Sequence, residues 1–402
     1  MQSPRTPSAE AKAVDASPPK KSPRLIQLDI LRGFLLLWMT FTHLPTKASV
    51  ISNQTFGFVS GAEGFIFLAA FMVGQLEFRR ELTRGEVATV RDLAKRTARV
   101  YAYHCGLLLI AFTVFAPLAV KLHRPAVQNL LSFYLRSPKP AAIAAALLQY
   151  RPSLLDILPL YVIFMALTPL ARRVARQWGW EPVIYAGFAV WLAAQFGLRN
   201  FMFRTFVPFG IAVPADSTGA FDIYAWQLLW IVGLALGTLN ADNVAGVSAR
   251  AGGEEAEGMP RWLVRLSFVL AGAFLVLRYS PVDRWIDPNL LGWLIDKWHL
   301  GPARVINFSA IAILLVQYGN HIARFKIFAP LAALGQASIE VFSVHVVCCL
   351  AGDTLSFTPD PELSYPVQAV LLIVTTAALF LTAYASKLWK ENKRARLVVQ
   401  PA

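Results

Sequence analysis

Residues 25–45, LIQLDILRGFLLLWMTFTHLP, decide how the rest of the chain is read. As a helix the stretch is long enough to cross a bilayer, because about 20 residues span roughly 30 Å of hydrocarbon. An inert anchor would avoid ionisable groups, yet this one carries Asp29, Arg32 and His43. A charged side chain at the bilayer centre costs roughly 2.5–3.5 kcal/mol on insertion scales. Three ionisable residues in one span mark a site rather than an anchor.

Composition points the same way. The 402 residues are 56% hydrophobic and 15% charged, against about 25% charged in soluble domains. Ten apolar segments can be drawn, at roughly 25–44, 57–78, 100–120, 153–171, 182–199, 222–240, 263–280, 301–320, 329–351 and 365–386. They predict an all-α, polytopic integral membrane protein with about ten transmembrane helices. The runs are continuous, whereas a membrane β-barrel would alternate. The net charge of +14 does not indicate nucleic acid, because the basic residues cluster between the apolar spans. Cys105, Cys348 and Cys349 lie in apolar segments and read as small hydrophobes, not as a disulfide or zinc framework.

Three regions follow: a Ser-, Pro-, Ala- and Lys-rich disordered tail at 1–23, a membrane domain at 24–387 and a basic tail at 388–402. Residues 252–258, GGEEAEG, read as a flexible linker. With the first tail inside, the inner segments hold 24 Lys and Arg and the outer segments 10. That bias predicts both termini in the cytoplasm. The outer loop 121–152, with five basic residues, is the exception. No internal repeat is visible, which counts against many secondary-transporter folds.

This topology assigns depth. Asp29 and Arg32 lie near the inner surface, three residues apart on one helical face. His43, Glu63, Asp156 and His345 fall in one layer towards the outer surface. A histidine oriented by a carboxylate is general-base chemistry, suited to deprotonating a hydroxyl for attack on an activated acyl group. Plainer readings exist for each: Arg32 snorkelling to headgroups, His43 as an interfacial histidine, Glu63 and His345 as helix-to-helix polar contacts, and Asp156 at a helix N-terminus. On the inner side Arg79, Arg80, Arg96 and Arg99 belong to an arginine-rich loop. The positive-inside rule explains most of it, and a phosphate-binding mouth for an anionic cofactor is the alternative. No Walker-type or dinucleotide-type glycine loop occurs, so ATP or NAD chemistry is not indicated.

LDILRGFLLLWMTFTH, with Arg32 and His43 separated by ten residues, resembles the first-helix signature of the acyltransferase-3 superfamily of membrane acyltransferases. FGFVSGAEGFIFLAAFMVG, LLDILPLYVIFMALTPLA, FDIYAWQLLWIVGLALG, LGPARVINFSAIAILL and LGQASIEVFSVH resemble successive blocks of the OpgC family, in order, from about residue 24 to 350. The resemblance implies a bacterial inner-membrane, multi-pass enzyme. It would move an acyl group, with succinyl favoured, from cytoplasmic succinyl-CoA or acetyl-CoA to a hydroxyl of a periplasmic glucan or other glycan. It makes Arg32 and His43 the essential first-helix pair. Asp29, Tyr161, Trp226, Gln227, Arg304 and Asn307 join as candidate substrate contacts. No metal is expected, because no local His or carboxylate spacing supports one. Membrane lipid is an expected partner, nucleic acid is not, and a homo-oligomer is left open. The rival reading is a transporter or flippase for an anionic metabolite or glycan, since intramembrane His and carboxylate groups also form proton relays. A non-catalytic partner of a glycan synthase is a third.

Overall fold

The computed structural model describes residues 26–206, 213–245, 259–322, 324–356 and 363–399. The expected tail 1–23, the linker 252–258 and residues 400–402 lie outside them. Among the described residues every regular element is helical. The main helices are α1 (Ile26–His43), α2 (Gly61–Arg84), α3 (Glu86–Lys121), α4 (Ile157–Trp178), α5 (Trp180–Gln195), α6 (Leu198–Phe206), α7 (Ile223–Ala245), α8 (Arg261–Tyr279), α9 (Pro302–Ile322), α10 (Ala329–Gln336), α11 (Ser338–Leu355) and α12 (Tyr365–Val399).

Eight of the described helices are long and apolar enough to cross a membrane, or nine if the bent pair α5 and α6 counts as one span. The chain is therefore an all-helical membrane protein. Its helices depart from the expected ten in four places. The 18-residue α1 is not among the eight, because its polar residues dilute its hydropathy. The segment expected at 182–199 is broken, with α5 and α6 meeting at 83°. Gly197, at φ 88°, makes that turn. The segment expected at 329–351 is two helices separated at Ala337. The basic residues after 387 continue α12 as helix rather than forming a separate tail.

The outer loop 121–152 is also not a loop. It folds into three short helices, Pro125–Leu130, Ser132–Arg136 and Pro138–Ala146, each started by proline or by the end of the one before. Val127, Leu131, Phe133, Ala141 and Tyr150 are buried beneath it, so it forms an apolar cap. Tyr134 stacks on Phe112 at 4.0 Å.

Small residues let the helices that carry the site approach closely, the usual packing device in lipid. A Cβ on Gly33 would sit 1.9 Å from the Leu331 carbonyl oxygen, and one on Gly335 would sit 1.9 Å from that of Asp29. The α1 and α10 backbones are therefore in contact. Gly74 and Gly237 do the same between α2 and α7. Gly61 faces Met39 and Gly64 faces Leu35, so α2 runs antiparallel to α1. This gives α1 two ends with different neighbours. His43 lies with the start of α2, and Arg32 with the start of α11.

Candidate functional site

His43 closes α1 and lines a cavity of about 230 Å³ with Thr42, Ser60, Asp156, Lys297 and Trp298. Its Nδ1 lies 3.4 Å from His345 Nε2. His345 is buried on α11, and one helical turn further on the Cys349 Sγ lies 3.5 Å from its Nδ1. A row runs from Cys349 through His345 to His43. No hydrogen bond reaches His43 Nε2 among the described residues.

The carboxylates expected to orient His43 are engaged elsewhere. Glu63 stands three residues into α2, where its Oε2 accepts from the Ser60 backbone N–H at 2.9 Å and from the Ser60 hydroxyl. That is the reach-back of a helix-start carboxylate. Its Oε1 accepts from Arg304 Nε at 2.9 Å and also from Nη2. Both side chains are fully buried. Arg304 is thus the counter-ion of Glu63, and Glu63 is not the partner of His43. Asp156 precedes α4, and its Oδ2 accepts from the Ala220 backbone N–H at 3.1 Å. It shares the cavity with His43 without bonding to it. The direct partner is His345.

At the other end of α1, the Arg32 guanidinium donates to the Ser338 hydroxyl at the start of α11. Asp29 is buried there. Arg32 and Arg96 act on one another electrostatically, and both act on Tyr161. Arg96 Nη1 is buried without a hydrogen-bond partner. Arg80 pairs instead with Glu77 at 3.6 Å and Asp92 at 3.9 Å. Arg172 and Arg176 pair with Glu81, at 3.0 Å for Arg176. Arg79 and Arg99 form no ion pair among the described residues.

Four of the remaining candidates are internal struts. The Tyr161 hydroxyl donates to the Phe65 carbonyl at 2.7 Å. Trp226 Nε1 donates to the Trp298 carbonyl at 3.0 Å and is fully buried. Gln227 Nε2 donates to the Gly187 carbonyl at 2.7 Å, tying α7 to α5. Asn307 Oδ1 accepts from the Phe58 N–H at 2.8 Å. Each satisfies a polar group that would otherwise be unpaired inside the protein. None of the four lines the His43 cavity.

Lys297 escaped sequence reasoning. It sits in the turn before α9, where the positive-inside count registers only another loop charge. In the fold it lines the cavity beside His43 and Asp156, 5.1 Å from the Trp298 ring centre. Burial lowers its pKa below the ordinary lysine value. Asp296 and His299 flank it. His299 Nδ1–H donates to Asp296 Oδ2 at 2.6 Å, and that contact raises the His299 pKa. The one signal in the sequence is position, since DKWHLGPAR ends on the arginine that holds Glu63.

Fold and site together define a polytopic membrane protein with a histidine pair beside a cavity at one end of α1 and guanidinium groups at the other. The chain belongs to the OpgC family. The family described as OpgC protein matches residues 24–391, nearly the whole chain. No curated protein and no solved structure matches it. Membership makes it a membrane enzyme of acyltransferase type.

Proposed function

We propose that the protein is an O-acyltransferase of a bacterial inner membrane with both termini cytoplasmic. It moves an acyl group, with succinyl favoured over acetyl, from cytoplasmic acyl-CoA to a hydroxyl of a periplasmic glycan. The observation that carries this reading is the placement of His43. Its unbonded nitrogen belongs to a residue lining a cavity that also holds Lys297 and Asp156. Eleven residues earlier on the same helix stands Arg32, about 16 Å away at 1.5 Å per residue.

The chemistry follows from the hydrogen-bonded row. If His345 Nδ1–H donates to Cys349 Sγ, its Nε2 accepts from His43 Nδ1–H. His43 then keeps a lone pair on Nε2, the tautomer a general base needs. His43 Nε2 takes the proton of the glycan hydroxyl as that oxygen attacks the thioester carbon. Lys297 offers a positive charge to the oxyanion that develops. The carbon–sulfur bond then breaks, and the CoA sulfur leaves with the proton from His43. Arg32 and Arg96 hold the phosphate-bearing part of the donor, whose acyl arm reaches along α1.

Mass spectrometry of periplasmic glycans with and without the chain tests this. Acylated glycan should appear only with the wild type. His43→Ala should lower transfer by about 10²–10⁴-fold, the usual worth of a general base, while the protein still inserts. Wild-type transfer by that variant would sink the mechanism. Vectorial movement of the glycan or metabolite without acylation would replace it with transport.

A further inference from the structure

The backbone of residues 213–222 divides the His43 end into two cavities. Beside the catalytic one lies a second of about 540 Å³, and the two share Ala220 and Trp298. The Ala220 N–H donates to Asp156 in the first, while Arg199 on the second side donates to the Gly219 carbonyl at 2.6 Å. Gly219 holds φ at 87°, a region that suits glycine. A Cβ there would lie 3.0 Å from the Arg151 side chain, so the glycine also makes room for that arginine.

The second cavity carries polar groups that the fold leaves unmatched. Arg151 is 7% exposed, and its Nε and Nη1 have no hydrogen-bond partner. Asp222 is 0% exposed, and its Oδ2 has none. Its Oδ1 accepts from the Tyr224 N–H at 2.9 Å. A buried polar group without a partner is destabilising, so an orphan donor and an orphan acceptor lining one cavity call for a ligand or ordered water that meets both. Charge selects the class of ligand. Arg151 and Arg199 face Asp216 and Asp222 in the lining, and His299 there is paired with Asp296, so the set gives an anion no net attraction. Hydroxyl groups both donate and accept. Phe203, Tyr224 and Trp298 add apolar faces against which the C–H face of a sugar ring can lie.

We propose that this cavity binds a neutral hexose unit of the glycan, next to the unit acylated in the His43 cavity. The proposal rests on the acyltransferase reading above. It makes the enzyme selective for an oligosaccharide over a single sugar.

Steady-state transfer by the full chain in detergent tests it, with glucose, an uncharged glucose tetrasaccharide and a carboxylated tetrasaccharide as acceptors. The wild type should favour the uncharged tetrasaccharide through KM. Arg151→Gln should raise that KM about tenfold, as expected for loss of a charged hydrogen-bond partner, and leave kcat and the KM for glucose nearly unchanged. Asn200→Trp fills the cavity from an exposed position, leaves the buried polar groups intact, and should do the same. The subsite is overturned, with the function standing, if both variants keep the wild-type KM for the tetrasaccharide. Equal wild-type KM for glucose and tetrasaccharide, or equal use of the carboxylated acceptor, overturns it in the same way. Absence of wild-type transfer to every acceptor overturns the acyltransferase reading with it.

Discussion

The two ends of α1 use charge differently. At the Arg32 end arginines are numerous, and four of them are paired with acidic side chains within the protein. Arg80 and Arg84 share Asp92, and Arg172 and Arg176 share Glu81. At the His43 end charges are few, and several face a cavity: Lys297 and Asp156 in one, Arg151 and Asp222 in the other. A run of basic residues therefore overstates binding capacity, because the fold brings acidic partners from neighbouring helices to meet it. Of the expected phosphate-binding mouth, Arg80 is paired with Glu77 and Asp92, whereas Arg79, Arg96 and Arg99 form no ion pair among the described residues.

Four substitutions sharpen or break this contrast. Arg304→Ala leaves Glu63 buried without its cation, and removal of one partner of a buried pair costs about 3–5 kcal/mol. Its thermal unfolding in detergent should shift far more than that of Arg84→Ala, whose Asp92 contact is exposed at 3.4 Å. Equal shifts would erase the distinction between the two ends. Lys297→Met should lower kcat by about 10²–10³-fold, the usual worth of one oxyanion-stabilising group. A change confined to KM would assign Lys297 to binding. Arg32→Ala should raise the donor KM about tenfold and leave the acceptor KM in place. The reverse pattern would put the acceptor at the Arg32 end.

The smallest effect concerns pH. The Asp296 contact raises the His299 pKa, so it stabilises the fold below the ordinary histidine pKa and loses that contribution as pH rises through the raised value. The same contact lowers the Asp296 pKa, and on that side the contribution disappears as pH falls through the lowered value. Asp296→Asn should reduce the thermal midpoint slightly near pH 5.5 to 6 (between the ordinary Asp and His values), and not at pH 9. An equal loss at both pH values would mean that backbone contacts, such as the Trp298 N–H on Asp296 Oδ1 at 2.7 Å, carry the effect.

Sequence periodicity and charge were enough to read the class of fold and the layer containing His43 and His345. Both follow from how a chain meets a bilayer. Pairing was not readable in the same way. Glu63 and Arg304 are 241 residues apart, and depth alone sets Glu63 as near to His43 as to Arg304. The break at Ala337 was hidden because the polar residues beside it, Gln336 and Ser338, sit inside a longer apolar stretch, and hydropathy does not register a change of axis. Trp226, Gln227 and Asn307 stood out as polar or aromatic groups within spans, where a structural hydrogen bond and a ligand contact leave the same trace. Lys297 was missed for the opposite reason, since a lysine in a loop is ordinary until the loop folds over a cavity.

Because Arg32 and His43 share one uninterrupted helix, α1 acts as a ruler. One added residue between them would move His43 about 1.5 Å along the axis and turn it about 100° away from its partner. Four added residues would nearly restore its facing but lengthen the ruler by about 6 Å. The Gly33 and Gly335 contacts, where backbone touches backbone, keep the ruler from sliding to compensate. The spacing of the two ends is thus a quantity the protein can change only in whole helical turns.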